Sequence, residues 1–263
     1  MFVDPTAIVS PECELGADVH VGAHAILESG VVVGPGCRIA AGVVLKQGLR
    51  LGRGVRVFEG AVLGGEPQDL KYRSLGSFAE VGDESVIREY ATVHRSAQVG
   101  GTTRIGKGCF LMAYGHVAHD CEIGDGAIIA SYVALAGHIR VGANAFISGG
   151  VVVHQFTRIG ELAMIGGGSK INLDVPPFVT VDGVPGRAVG LNVVGLRRAG
   201  FGEDDLRALK KAYRILYRSK FPREEALRRL EALEHAPIKR LVEFIRSSER
   251  GICAGRRANR RFS

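Results

Sequence analysis

Stepping six residues at a time from Val3 to Ile171, the chain places Val, Leu or Ile at 28 of 29 positions, the exception being Asp69. These three residue types make up about a quarter of the chain, so roughly seven would fall there by chance. Glycine follows the aliphatic residue at many of these positions, among them Gly16, Gly34, Gly82, Gly124 and Gly160. Six residues are too few for a helical repeat, but they suit one short strand and one corner, where glycine tolerates a positive φ. Three units close a triangular coil, and coils stack at a strand spacing of about 4.8 Å with the aliphatic residues inside.

This pattern resembles the hexapeptide-repeat family, whose members form left-handed parallel β-helices. The left hand is implied by that resemblance alone, since parallel crossovers are otherwise right-handed. The expected fold is therefore mostly β: a left-handed parallel β-helix over 1–190, then a small α-helical unit. Two excursions interrupt the coil. One falls near 64–80, around Asp69, where the segment is too polar for a core. The other falls near 94–106, where paired glycines and threonines occur. Loops on a rigid scaffold are where chemistry collects.

Charge changes near residue 196: residues 1–196 carry net −3 and residues 197–263 net +10. The spacing of Leu206, Leu209, Tyr213 and Leu216 after Glu203, Asp204 and Asp205 predicts a helix, and Pro222 and Pro237 each open another. This helical unit spans 191–252 and caps the end of the coil; 253–263 reads as a disordered basic tail. Cys13, Cys37, Cys109 and Cys121 each lie four residues after a register position, where small core residues such as Ala25 recur, so they read as buried hydrophobes. No leader-like segment precedes Val3 and no apolar run approaches the roughly 20 residues of a membrane span, which predicts a cytoplasmic protein. The basic unit lacks interleaved aromatics and any nucleic-acid-binding motif, so no nucleic acid partner is expected.

His94, His116, His119, His138 and His154 all fall in the second half of the coil and off the register. With three units per coil, residues 18 apart stack. Asp120, His138 and Phe156 form one column and His119, Gly137 and Gln155 the next, so His119 and His138 are neighbours on successive coils. Clustered histidines beside an acid define a candidate site.

The strings QDLKY (Gln68 to Tyr72), HVAHDC (His116 to Cys121), LAGH (Leu135 to His138), VHQF (Val153 to Phe156), DVPPF (Asp174 to Phe178) and GLRRAGF (Gly195 to Phe201) resemble, in order and spacing, the UDP-N-acetylglucosamine 3-O-acyltransferase family of lipid A biosynthesis. The resemblance implies transfer of an (R)-3-hydroxyacyl group from acyl carrier protein to the glucosamine 3-position of UDP-N-acetylglucosamine, with no cofactor. It implies His119 as general base, Asp120 as its orienting partner and the Gly137 N–H as oxyanion donor. Gln68, Asp69, Lys71, His116, His138, His154, Gln155, Asn192 and Arg198 correspond to substrate-contacting positions, and Gly167 with Met164 to the positions that set acyl-chain length. A glycine at 167 implies that a longer chain is admitted. Two features depart from the family pattern: the segment VDGVPGRAVG (Val181 to Gly190), and Ala199, which stands where a second basic residue often follows Arg198. The resemblance further implies a homotrimer, and acidic acyl carrier protein suits the basic surface of Lys210, Lys211, Arg214 and Arg218. Two other classes fit the same coil: a zinc-dependent hydratase of carbonic anhydrase type, using clustered histidines, and a non-catalytic sugar-nucleotide-binding scaffold.

Overall fold

The computed structural model describes every residue except 74–75 and 257–263. Two-residue strands, from Phe2–Val3 to Lys170–Ile171, recur along three parallel sheets that form the faces of a left-handed triangular coil. Register residues point inward and close a continuous core in which Leu45, Leu63, Ile87, Leu135 and Ile147 are fully buried. A second inward column, four residues on, carries Ala25, Val43, Leu49 and Ala127. Cys37, Cys109 and Cys121 occupy it as expected, Cys13 is half-buried near the open N-terminal end, and all five cysteines are free.

The loops explain how the register survives its interruptions. Leu63 and Val81 lie on consecutive strands, yet 18 residues separate them where six would suffice. Val93 and Ile105 are likewise 12 apart. Each insertion is a multiple of six, so the aliphatic phase continues while the chain has left the coil. Val99, a register residue, is 72% exposed on the second loop, and Leu75 lies outside the described residues. The excursions are also narrower than 64–80 and 94–106, because strands Val62–Gly65, Phe78–Val81, Thr92–His94 and Thr102–Ile105 take up their ends. Stacked partners are consequently 30 apart at Leu51 and Val81, and 24 apart at Val93 and Val117.

The three outward faces differ. On the eight-stranded sheet Arg50, Glu80, Arg104, Glu122 and Arg140 form an ion-paired ladder. The nine-stranded sheet carries Ile8, Ile26, Val44 and Val62 outward, and the eleven-stranded sheet Val86, Phe110, Ile128, Phe146 and Met164.

At the C-terminal end the strand Val179–Asp182 turns back antiparallel to Arg187–Leu191, so the divergent segment is a hairpin that ends the coil. Helices α1 (Val193–Arg198), α2 (Glu203–Tyr217), α3 (Arg223–Glu231) and α4 (Ala236–Arg246) follow. The last three match the spacing expected from sequence; α1 is additional. Their apolar faces gather around Phe178, fully buried and contributed by the coil, while Tyr213 of α2 reaches the coil core and donates to Ala188 O at 3.2 Å. The start of the expected tail is ordered. Cys253 is 2% exposed and its N–H donates to Asp174 O at 2.8 Å, and Arg256 N–H donates to Ala188 O at 2.8 Å. The reason is the coil's last edge, whose unpaired backbone groups these residues satisfy; residues 257–263 lie outside the described part.

Because every coil shares one core, truncation of Leu135 leaves a cavity that neighbours above and below line but do not fill. Leu135→Ala is expected to lower unfolding free energy by about 2–5 kcal/mol, read from urea denaturation at fixed protein concentration.

Candidate active site

The site lies on the corner between the nine- and eight-stranded sheets. His119 and Asp120 form this corner in one coil, Gly137 and His138 in the next, Gln155 and Phe156 in the third. The coil spacing brings them together: His138 N–H donates to His119 O at 3.0 Å and Phe156 N–H to Gly137 O at 3.1 Å. Asp120, His138 and Phe156 hold φ of 60°, 60° and 62°, the left-handed region usually left to glycine. The His138 ring stacks on Phe156 at 4.6 Å and meets His119 edge-on at 5.2 Å.

His119 Nδ1 lies 2.7 Å from Asp120 Oδ2. A carboxylate there draws the proton to Nδ1 and leaves the Nε2 lone pair free in the neutral ring. Asp120 is itself tightly held: Ser96 Oγ contacts its Oδ1, and the Ala97 N–H donates to Oδ2 at 3.2 Å. Thr103, fully buried, accepts the Asp120 N–H at 2.8 Å. Burial pushes the Asp120 carboxyl up, but hydrogen bonds from Ser96, His119 and Ala97 outweigh it, and its pKa falls below the ordinary value. Gly137 faces the His119 ring directly. A Cβ there would sit 2.6 Å from His119 Cε1, so any side chain would displace the imidazole.

Beside this pair, His116 Nδ1 lies 2.7 Å from Thr92 Oγ1, and His94 meets the His116 ring edge-on at 4.9 Å. Burial, reinforced by His116 and His119, lowers His94 to about 4; burial and then His119 lower His116 as well. His154 and Gln155 are exposed. The Nδ1 of His154 lies 3.0 Å from Gln155 O and 3.2 Å from Arg250, contacts that need opposite tautomers of the ring.

The other expected residues lie elsewhere. Gln68, Asp69 and Lys71 sit on the loop between Gly65 and Phe78, with Leu70 fully exposed at its tip and Asp69 Oδ1 accepting the Lys71 N–H at 2.9 Å. Asn192 and Arg198 border a groove over the eleven-stranded sheet, together with Met164. Asn192 is the N-cap of α1: its Oδ1 accepts from Gly195 N–H at 3.0 Å and its Nδ2 donates to Leu162 O at 2.8 Å, so its side chain is already committed. Gly167 is exposed at another corner, where a Cβ would meet only Gly149 O at 3.4 Å and Ser148 Cβ at 3.9 Å.

Arg95 and Ser96 were not singled out in the sequence. Arg95, 8% exposed, anchors the first loop by donating to Gly64 O, Tyr72 Oη and Glu66 while also holding Gln47 O. Ser96, fully buried, holds Asp120. One short segment thus fixes both the loop and the Asp120 carboxylate. Its only sequence signal is the polar triplet His94–Arg95–Ser96 following directly on a register residue. Among the described residues, His119, Asp120 and His138 are the one trio whose ligand-type atoms lie within 4.8 Å of one another.

A coil of hexapeptide repeats with a histidine–carboxylate pair on one corner defines a hexapeptide-repeat β-helical protein with a candidate acid–base site. Its repeats match the bacterial transferase hexapeptide family over 12–47 and 102–137, and residues 174–253 match the second domain of UDP N-acetylglucosamine O-acyltransferase. The acyl-[acyl-carrier-protein]–UDP-N-acetylglucosamine O-acyltransferase of Thermodesulfovibrio yellowstonii is 42% identical over 95% of this chain and 98% of its own. The chain belongs to that family. The Aquifex aeolicus protein of the same name is 40% identical over a stretch spanning 31% of this chain and only 32% of its own length. The solved UDP-N-acetylglucosamine acyltransferase of Campylobacter jejuni superposes with a TM-score of 0.92 at 34% identity, covering 97% of this chain and 100% of its own. That of Francisella novicida gives 0.93 at 30% identity over 97% and 95%.

His94 sets a pH limit on stability. Its pKa is lowered from an ordinary 6.5 to about 4, so the unfolded chain binds its proton first. The stability is full above 6.5 and declines by about 1.4 kcal/mol per pH unit as pH falls from there toward 4. Urea midpoints at pH 7 and pH 5 should show this decline, and His94→Leu should reduce it.

Proposed function

We propose that this protein transfers an (R)-3-hydroxyacyl group from acyl carrier protein to the glucosamine 3-position of UDP-N-acetylglucosamine, the first step of lipid A biosynthesis, in the cytoplasm. The observation that carries the reading is the His119–Asp120 pair, with Gly137 pressed against the imidazole from the next coil. A sugar hydroxyl is a weak nucleophile at neutral pH. His119 Nε2 takes its proton as the oxygen attacks the thioester carbonyl, and Asp120 stabilises the imidazolium that forms. The Gly137 N–H receives the developing oxyanion. Collapse expels the carrier thiolate, which takes from His119 the proton that the hydroxyl gave up, so the enzyme needs neither a covalent intermediate nor a cofactor.

His138 and His116 line the acceptor side, with His154 and Gln155 further along the corner, and Gln68, Asp69 and Lys71 reach the sugar and phosphate from the loop. Asn192 and Arg198 serve the nucleotide. The open space at Gly167, with Met164 nearby, supports a longer acyl chain. Lys210, Lys211, Arg214 and Arg218 are all exposed on or just after α2 and suit an acidic carrier.

The active species is a homotrimer. Arg198 and Met164 lie over the eleven-stranded sheet, whereas His119 lies on the corner of the other two, so a second copy supplies what one chain separates. Apolar outward residues on two faces and an ion-paired ladder on the third fit a ring that buries the first two.

Incubation with 3-hydroxyacyl carrier protein and either UDP-N-acetylglucosamine or its 3-amino analogue, in a chelating buffer, should yield an acylated sugar nucleotide identified by mass. His119→Ala should lower kcat by about 10²-fold or more while leaving UDP-sugar binding within about two-fold. Retained turnover in that variant would remove His119 as the base. Sedimentation equilibrium should give three times the 28.0 kDa chain mass, and a monomer at assay concentration would remove the shared site.

A further inference from the structure

The trio of His119, Asp120 and His138 has a second chemistry open to it. A four-coordinate zinc ion holds nitrogen and oxygen ligands at about 2.0–2.2 Å, which sets neighbouring ligand atoms roughly 3.3 Å apart. Asp120 Oδ2 lies 2.7 Å from His119 Nδ1 and 3.7 Å from His138 Nε2, and one ligand-type atom of each residue lies within 4.8 Å of the other two. These separations fall on either side of the required one, so side-chain rotation closes the set without moving the backbone. The backbone is already fixed, since His138 N–H donates to His119 O at 3.0 Å across the two coils. His138, the most exposed of the three side chains, lines an open groove with Asp120, so an ion reaches both from solvent. Two imidazoles and one carboxylate suit zinc, whereas magnesium and calcium take oxygen ligands. Three protein ligands leave the fourth position to water.

The surroundings of the ligands decide what kind of site this is. Ser96 Oγ and the Ala97 N–H brace Asp120, but among the described residues neither His119 Nε2 nor His138 Nδ1 has a hydrogen-bond partner. Histidines that hold a resident zinc almost always give their other ring N–H to an acceptor. We propose that Zn²⁺ binds reversibly to His119, Asp120 and His138 and in doing so switches the histidine base off. Zinc takes the Nδ1 lone pair of His119, and the single proton of the ring, otherwise held on Nδ1 by Asp120, passes to Nε2. The ring stays neutral, but Nε2 now carries hydrogen and accepts no other proton. Ion and base therefore exclude each other. The ion site stands on the geometry of the trio; its effect on turnover rests on the acyl-transfer reading above.

The purified protein, stripped of metal by a chelator and dialysed, is titrated with Zn²⁺ against a competing indicator dye, and with Co²⁺ as a spectroscopic substitute. The wild type should take one zinc per chain and give the visible absorption of four-coordinate Co²⁺, which zinc abolishes. Asp120→Asn and His138→Gln should each weaken zinc binding about ten-fold or more, since a lost ligand costs at least as much as a lost outer partner. His116→Gln should leave it within about two-fold. Acyl transfer by the wild type should fall in step with zinc occupancy and return on adding chelator. Absence of stoichiometric binding, or binding that survives both ligand variants, overturns the proposal, as does zinc lost from His116→Gln but kept by His138→Gln. Zinc bound at the trio with turnover unchanged overturns the switch. Zinc bound there in a protein whose metal-free form makes no acylated product supports the ion site and overturns the acyl-transfer reading.

Discussion

The parallel backbone ladder that carries each residue's position into the next coil is what the structure depends on. Within regular coils it converts 18 residues of sequence into one strand spacing, so side chains far apart in the chain meet at fixed distances. The site is built on that conversion. His119, Gly137 and Gln155 share a column, as do Asp120, His138 and Phe156, and no long-range loop closure is needed to assemble them. This corner also carries backbone strain. Some corners of the coil use glycine at positive φ, as at Gly30, Gly36 and Gly42, and others, like Tyr90, Tyr114 and Tyr132, a larger residue; at the site corner Asp120, His138 and Phe156 hold it, each costing about 1–2 kcal/mol relative to a relaxed conformation. Ladder hydrogen bonds on both sides and ring stacking hold them, so the side chains are fixed before any ligand arrives.

The electrostatics of the corner follow from one asymmetry. The carboxylate of Asp120 is surrounded by donors and stays ionised; the buried histidines around it have no comparable acid and stay neutral. One negative charge beside the neutral imidazoles of His94 and His116 is a stable arrangement at neutral pH, and Asp120 contacts one nitrogen of His119. Had His94 and His116 been protonated, their repulsion would have opposed any positive charge on the neighbouring His119.

What the sequence made legible follows the period of six. Core residues, buried cysteines and the His119–Gly137–His138 neighbourhood come from counting alone, because a ladder permits no slip without turning every aliphatic residue outward. The same period conceals the loops. Insertions of 12 and 6 residues preserve the phase, so Val99 looks like core and is exposed, and the loop limits were drawn too wide. Arg95 and Ser96 were illegible for a different reason. The partners of Arg95, Glu66 and Tyr72, lie on the loop, for which no repeat supplies a rule, and Ser96 meets Asp120 at the 24-residue offset that only the six-residue insertion creates. Asn192 carried a local signal, a polar residue before a short helix, and its capping role competes with the nucleotide contact that resemblance suggested.

The three faces of the coil divide the labour in a way that constrains assembly. A corner can hold a base, but a corner is convex, and a convex surface cannot enclose a sugar nucleotide and an acyl chain. Enclosure must come from outside the corner: within one chain from the loop that Arg95 ties down and the helical unit beyond Ser247, to which the proposed homotrimer would add Arg198 and Met164 of a neighbouring copy. The charged ladder on the eight-stranded sheet then has a structural consequence. Arg50, Glu80, Arg104, Glu122 and Arg140 would be costly to desolvate as a set, which disfavours that face as an interface. In the homotrimer proposed above, contact through the other two faces would close a ring and leave the corner bearing His119 at the boundary between neighbours.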